Sequence, residues 1–140
     1  MRPTALVLAI TASSVAAIDL TQKTLALSGP EAVVGHERSV GYVVAGIGAT
    51  VVWAAAIVLV GSLPIAFAGG IAVGGAIGNL SSLLLFPSFR GVPDPLVVGR
   101  LAFNLGDVAV VIGLCLVVST TIVVAVQNHA RLREPVRVRS

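Results

Sequence analysis

The sequence predicts an all-α integral membrane protein, a four-helix bundle with both chain termini in the cytoplasm. Of its 140 residues, 56% are hydrophobic and 11% are charged, and the mean hydropathy is +1.03. No charged residue occurs from Ser39 to Phe89, a stretch long enough to cross the hydrocarbon core twice as helix. Soluble domains do not have this composition, so a soluble enzyme of this size is excluded.

Four apolar segments divide the chain, each close to the roughly 20 residues that a spanning helix needs. We expect them to lie at 4–27, 39–60, 63–86 and 101–126 of a single membrane domain, residues 1–140. Only the segment 61–64 separates the second and third spans, and its Pro64 fits the first turn of a helix, so a tight hairpin is predicted. The connections 28–38 and 87–100 contain Gly, Pro and charges, as exposed loops do.

Basic residues near the chain end predict the orientation of the bundle. The predicted tail, residues 127–140, contains four of the nine Lys and Arg residues: Arg131, Arg133, Arg137 and Arg139. Lys and Arg beside membrane spans favour the cytoplasmic side, so both termini of a four-span chain are expected there. Four basic residues argue the other way, but acidic neighbours offset part of their charge: Lys23, Arg38, Arg90 and Arg100. The tail also accounts for the net charge of +3 without a nucleic-acid partner.

The first span has an alternative interpretation as a secretory signal peptide. Arg2 would be its short basic region, and the small residues at 14–17 would precede the cleavage site. Cleavage there would leave three spans. The apolar character resumes at 25–27, which favours a spanning helix instead.

Ionisable and amide side chains inside the predicted spans are the first candidates for function, because such groups are costly in a membrane unless they face a partner or a cavity. We single out five of them: Asp19, Lys23, Asn79, Asn104 and Asp107. At about 1.5 Å per residue, all three helices that carry them place them in the outer third of the membrane. The sequence therefore predicts one polar cluster at one depth.

Two pairs within this set have helical spacing. Asp19 and Lys23 are four residues apart and suit an ion pair on one helix, with an interfacial salt bridge and an outward-reaching Lys23 as the plainer interpretation. Asn104 and Asp107 are three apart and are expected to share a helix face. Asp107 has small and apolar neighbours, so its carboxyl group needs a partner or a bound proton.

Other residues have structural interpretations. Gly70, Gly74 and Gly78 repeat at four-residue spacing on the third span, the pattern that lets two helices approach closely. Ser82 is expected to return its hydroxyl to a carbonyl one turn earlier rather than act as a nucleophile. His36 and His129 are expected to be solvated, and with a single cysteine, Cys115, the chain offers no metal motif and no evident cofactor site.

Three segments resemble the lipoprotein signal peptidases (signal peptidase II), four-span aspartic proteases of the bacterial cytoplasmic membrane. Residues 18–23 resemble the family's Asp-x-x-x-Lys segment, 74–80 its Gly-Gly-Ala-x-Gly-Asn-x stretch, and 103–107 its Phe-Asn-x-Ala-Asp motif. Asp94 loosely matches an aspartate in a family loop. The resemblance covers nearly the whole chain and implies membrane lipid and a lipidated prolipoprotein, or its signal peptide, as partners.

The resemblance also implies a pair of catalytic aspartates, of which one matches Asp107 and the other would stand at Ser82. Leu83 replaces the arginine that usually follows, the family's Asn-x-Gly-Ala-Ala-Phe motif is missing, and the loop 28–38 is too short for the substrate-covering strands of the family. The remaining motif residues, Asn79, Asn104, Asp19 and Lys23, would bind substrate. Because an aspartic protease needs both acids, we expect catalysis to be lost or strongly reduced.

Three alternatives stay open at this stage. Asp19 or Asp94 could replace the missing acid and retain proteolysis. The chain could instead be a small proton-coupled transporter with Asp19 or Asp107 as the carrier, although polar groups crowded at one depth do not form a path. A structural partner subunit is the third, supported only by the glycine stripe.

Overall fold

A computed structural model gives the fold and describes residues 2–30, 33–89 and 91–132. Four long helices make up most of it: α1 (Pro3–Ser28), α2 (Val40–Val60), α3 (Leu63–Leu85) and α4 (Leu105–Leu132). All four are long and apolar enough to cross a membrane, so the predicted four-helix membrane fold is confirmed. Glu31, Arg90 and the predicted tail beyond position 132 lie outside the described residues, and the side of the membrane on which the termini lie stays a prediction.

The helices begin and end where the sequence provides caps. The Ser39 hydroxyl accepts a hydrogen bond from the Tyr42 amide at 3.2 Å and starts α2. Gly61 ends α2 in the left-handed region at φ +73°, and Pro64 lies in the first turn of α3. The predicted tight hairpin between α2 and α3 is therefore present.

Helix α3 lies at the centre of the bundle and contacts the other three helices. Its glycines make this possible, because a Cβ atom at Gly74 would lie 2.6 Å from the Ala12 carbonyl oxygen of α1. Gly75 faces α4 in the same way, against the backbone of Gly106 and Val110. The close helix approach predicted from the glycine stripe is thus borne out, with α1 on one side of α3 and α4 on the other.

Four short strands lie at the end of the bundle where α1 and α3 end, which we call the strand end. Strand β1 (Val34–His36) pairs antiparallel with β2 (Val92–Asp94), and β3 (Leu96–Val98) pairs antiparallel with β4 (Leu101–Phe103). The loop 28–38, which we expected to be too short for the substrate-covering strands of the family, contributes the three residues of β1, and the partner strand comes from the loop after α3. Gly91 permits this approach, since at φ +110° it lies directly against the His36 carbonyl.

The predicted start of the fourth span is wrong by four residues. We expected it at position 101, but β4 occupies Leu101–Phe103 and α4 begins at Leu105. Gly99, at φ +62°, reverses the chain between β3 and β4, so these apolar residues form a hairpin instead of the first helical turn. The helix also continues to Leu132, past the predicted end at 126.

Candidate functional site

Lys23 is the centre of a buried polar cluster at the strand end. Its side chain is 0% exposed, and its Nζ donates to Asp19 Oδ2 at 2.6 Å, to Asn79 Oδ1 at 2.7 Å and to Ser82 Oγ at 3.3 Å. These three acceptors match the three protons of an ammonium group. The predicted ion pair with Asp19 is therefore present, whereas an outward-reaching Lys23 at the membrane interface is wrong.

Asp19 joins α1 to the first turn of α4. Its second oxygen, Oδ1, accepts a hydrogen bond from the backbone amide of Gly106 at 2.7 Å, and Gln22 Oε1 accepts from the Leu105 amide at 3.3 Å. Amides in the first turn of a helix have no partner within the helix, so these two side chains supply one. Asp19 is 1% exposed and both of its oxygens are occupied. Gln22 is an amide that sequence reasoning missed, although its spacing from Asp19 on the same helix could have indicated it.

Asn104 and Asp107 form a reciprocal cap at the start of α4. The Asn104 side-chain oxygen accepts from the Asp107 amide at 3.0 Å, and Asp107 Oδ2 accepts from the Asn104 amide at 3.2 Å. Asn104 precedes the helix, so the expectation that the two residues share a helix face is wrong. The three-residue spacing fits this cap equally well, and the cap fixes the orientation of the Asp107 carboxylate.

Asp107 faces α3. Its Oδ1 accepts from Asn79 Nδ2 at 2.8 Å, and Asn79 Oδ1 in turn accepts from Lys23. Ser82 joins the same chain of hydrogen bonds through Lys23 rather than contacting Asp107 directly. The Ser82 hydroxyl also lies 2.9 Å from the Gly78 carbonyl and 2.8 Å from that of Asn79, so its predicted return to the preceding turn is confirmed.

Asp94 brings a second carboxylate to Asn104. The Asn104 side chain donates from Nδ2 to Asp94 Oδ1 at 2.5 Å, and the Pro93 carbonyl lies 3.4 Å from the same nitrogen. Asp94 Oδ2 is bonded to Nδ1 of His36, across the β1–β2 ribbon. His36 is therefore only in part the solvated residue that we expected. No sequence spacing indicates this pair, because 58 residues separate its members.

An open groove of about 390 Å³ reaches this network between α2, α3 and α4. Asn79 and Asp107 are the network residues that line it, while Ala49, Ala76, Leu80, Leu83, Val110 and Val111 are among its apolar walls. At its rim Arg38 stacks over the Tyr42 ring, 4.7 Å from the centroid. Ser82, Lys23 and Asp94 are buried, so Asp107 is the carboxylate that faces the groove.

The charges of the network determine its chemistry. Asp19 and Lys23 neutralise each other, which leaves Asp94 and Asp107 as two further acids, both bonded to Asn104. Two carboxyl groups that are both held by one asparagine are the kind of pair that can act as general acid and general base. Within residues 2–30, 33–89 and 91–132, no group of three His, Cys, Asp or Glu side chains is placed to hold a metal ion.

Comparison with known proteins agrees with the membrane fold. No protein-family model and no curated protein matches the chain. Among solved structures it is similar to a bacterial membrane enzyme determined by the in meso method at 2.3 Å resolution, with a TM-score of 0.60. The two chains are 17% identical over 94% of each. At this identity the likeness shows a shared fold and leaves the chemistry to be argued from the site.

Proposed function

We propose that the chain is a membrane peptidase of the lipoprotein signal peptidase type, with Asp94 and Asp107 as its two catalytic acids. The observation that carries this proposal is the convergence of both carboxylates on Asn104 beside a groove that opens between membrane helices. The resemblance of residues 103–107 to the family's Phe-Asn-x-Ala-Asp motif supports the same assignment for Asp107.

The position of Asp94 changes the expectation that catalysis is lost. That expectation placed the second acid at Ser82, which is 0% exposed and bonded to the Lys23 ammonium. Two acids could replace the missing aspartate. Of these, Asp19 is hydrogen-bonded to Lys23 and to the Gly106 amide. Asp94 is also buried and bonded through both oxygens, but one of its partners, Asn104, is bonded to Asp107 as well, so we infer that the two acids act together and that proteolysis is retained.

The reaction that this pair supports is hydrolysis of a peptide bond. The ionised acid accepts a proton from water as the water oxygen attacks the carbonyl carbon, and the protonated acid donates to the carbonyl oxygen. The carbon–nitrogen bond then breaks as the leaving nitrogen takes the proton that came from water, and the former carbonyl oxygen returns its proton to the other acid. Asp107 faces the groove and contacts substrate, and Asn104 and Asn79 orient it. Lys23 and Asp19 are buried behind these residues, so we assign them a positioning role in place of substrate binding.

The groove favours a substrate that is itself embedded in the membrane. Its walls are mostly apolar side chains of α2, α3 and α4, which suit a signal-peptide helix or an acyl chain. Polar atoms at the floor come from Asn79 and Asp107, where a peptide carbonyl would enter. A lipidated prolipoprotein, cut before its modified cysteine at the membrane surface, has this combination of apolar body and peptide bond. We therefore propose the bacterial cytoplasmic membrane as its location.

A proton-coupled transporter fits the observations less well. A carrier carboxylate needs access from both sides of the membrane, yet the described polar network lies at the strand end. Towards the other end of the bundle the described buried residues include one hydroxyl, that of Thr4, and an apolar cluster formed by Leu8, Ile57, Ile65, Ala66, Ala68 and Val117. These offer no chain of polar groups for a proton.

The test is cleavage of a diacylglyceryl-modified prolipoprotein by the purified protein in detergent micelles. We expect release of the signal peptide by the natural chain and its loss in both Asp107→Asn and Asp94→Asn, which keep the shape of the side chain. Glu37→Gln is the matched control, because Glu37 is an exposed acid of the same end of the molecule. No cleavage by the natural chain would refute the peptidase, and full activity of Asp94→Asn would refute the pair.

A further inference from the structure

His36 and Asp94 lie on the same face of the β1–β2 ribbon. The register pairs His36 with Val92 and Val34 with Asp94, so all four side chains share one face, and His36 reaches Asp94 along the diagonal. Val92, on this face, is 3% exposed and lines the groove. The pair of His36 and Asp94 is therefore next to a residue of the groove wall.

The two ends of this pair differ in their access to water. The His36 side chain is 48% exposed, whereas that of Asp94 is 3% exposed, and Asn104 and His36 occupy both of its oxygens. A half-exposed imidazole can exchange protons with solvent, whereas solvent does not reach the buried carboxylate directly. His36 is therefore the contact between the inner acids and water on this side of the network.

The charged residues near His36, in space and in sequence, identify Asp94 as its partner. Asp94 faces it from β2, and Asp107 lies beyond Asn104 on α4. Its chain neighbours point elsewhere: Glu37 is exposed and Arg38 stacks on Tyr42. Because Lys23 is paired with Asp19, a protonated His36 is the positive charge that bonds to the Asp94 carboxylate among the described residues.

We propose that His36 is a positioning residue that acts through Asp94. Its Nδ1–H fixes the orientation of the Asp94 carboxylate, and a protonated ring would also place a positive charge beside that carboxylate. Asp107, the other acid bonded to Asn104, faces the groove. This role rests on the proposed peptidase function, but the His36–Asp94 pair itself can be tested without it.

The first experiment measures prolipoprotein cleavage as a function of pH in His36→Gln. A neutral amide at this position can still bond to Asp94 but cannot carry the positive charge of a protonated imidazole. We expect His36→Gln to lower cleavage most at acid pH, by up to about tenfold, and the two profiles to converge at alkaline pH. His129→Gln is the matched control, as His129 is exposed near the far end of α4. A His36→Gln profile that coincides with that of the natural chain would overturn the proposal.

The second experiment does not depend on activity. The chain has two histidines, so isotope-labelled histidine gives two ring signals in an NMR spectrum, whose nitrogen shifts report which ring nitrogen carries the proton. At alkaline pH we expect His36 to be held with its proton on Nδ1, and Asp94→Asn to release that preference while leaving His129 unchanged. Equal tautomer mixtures at both histidines in the natural chain would overturn the pairing. If the chain does not cleave prolipoprotein but His36 shows the Nδ1–H form, the peptidase fails and the pair stands.

Discussion

Replacement of Lys23 by Met is the most informative test of how the bundle is held together. Met has a similar length and no charge, so Lys23→Met leaves the Asp19 carboxylate buried with one partner, the Gly106 amide. Asn79 Oδ1 and Ser82 Oγ lose a donor at the same time. The change therefore removes the buried ion pair and these hydrogen bonds together, and comparison with the double variant Asp19→Asn with Lys23→Met separates their contributions to stability.

The expected magnitude follows from the burial of both partners. Hydrogen bonds between membrane helices contribute about 0.6 kcal/mol on average, so loss of the bond to Asn79 by itself is a small effect. Removing one partner of a fully buried ion pair costs about 3–5 kcal/mol, because the remaining charge has no compensation. Lys23 and Asp19 are 0% and 1% exposed, so the larger figure applies.

The assay is equilibrium unfolding in mixed micelles, with increasing denaturing detergent and helix content as the readout. We expect Lys23→Met to lower the free energy of unfolding by about 3–5 kcal/mol. The double variant Asp19→Asn with Lys23→Met should recover most of this loss, since no charge is then buried and the amide oxygen still accepts from Gly106. A loss below about 1 kcal/mol in Lys23→Met would refute the claim that the ion pair, and not the apolar packing, fixes α1 against α3.

Three further predictions concern packing, the second acid and orientation. Gly75→Ala should lower the free energy of unfolding by about 1–3 kcal/mol because its Cβ would meet the α4 backbone, whereas Gly48→Ala, with open space around it, should be neutral or stabilising in the same assay. Ser82→Asp should pair its new carboxylate with Lys23, 3.3 Å from the present hydroxyl, and give no gain in prolipoprotein cleavage; a large gain would show that this position, and not Asp94, supplies the second acid. A cysteine placed at position 140 of a variant without the natural cysteine should resist a membrane-impermeant thiol reagent in intact cells, and labelling there would contradict cytoplasmic termini.

The sequence by itself determined the membrane class, the number of spans and the closeness of α3 to its neighbours. These properties are local: twenty apolar residues specify a span, and a glycine every fourth residue specifies a face on which another helix fits, as Gly74 shows against Ala12. The common depth of Asp19, Asn79 and Asp107 also followed from counting along helices. Because these side chains lie at one depth, hydrogen bonds that link them through Lys23 could be expected from the sequence.

Only the tertiary structure decided where α4 begins and which acids meet. Hydropathy cannot distinguish a helical turn from a short apolar strand, and at 101–103 the pairing with β3 prevails, with Asn104 then serving as the cap. Asp94 and His36 reach the site because two loops, far apart in sequence, pair as β1 and β2. Hydrogen bonds between such segments depend on distances in space, which sequence spacing does not record. For this reason only the fold could identify which acid is the second carboxylate of the candidate site.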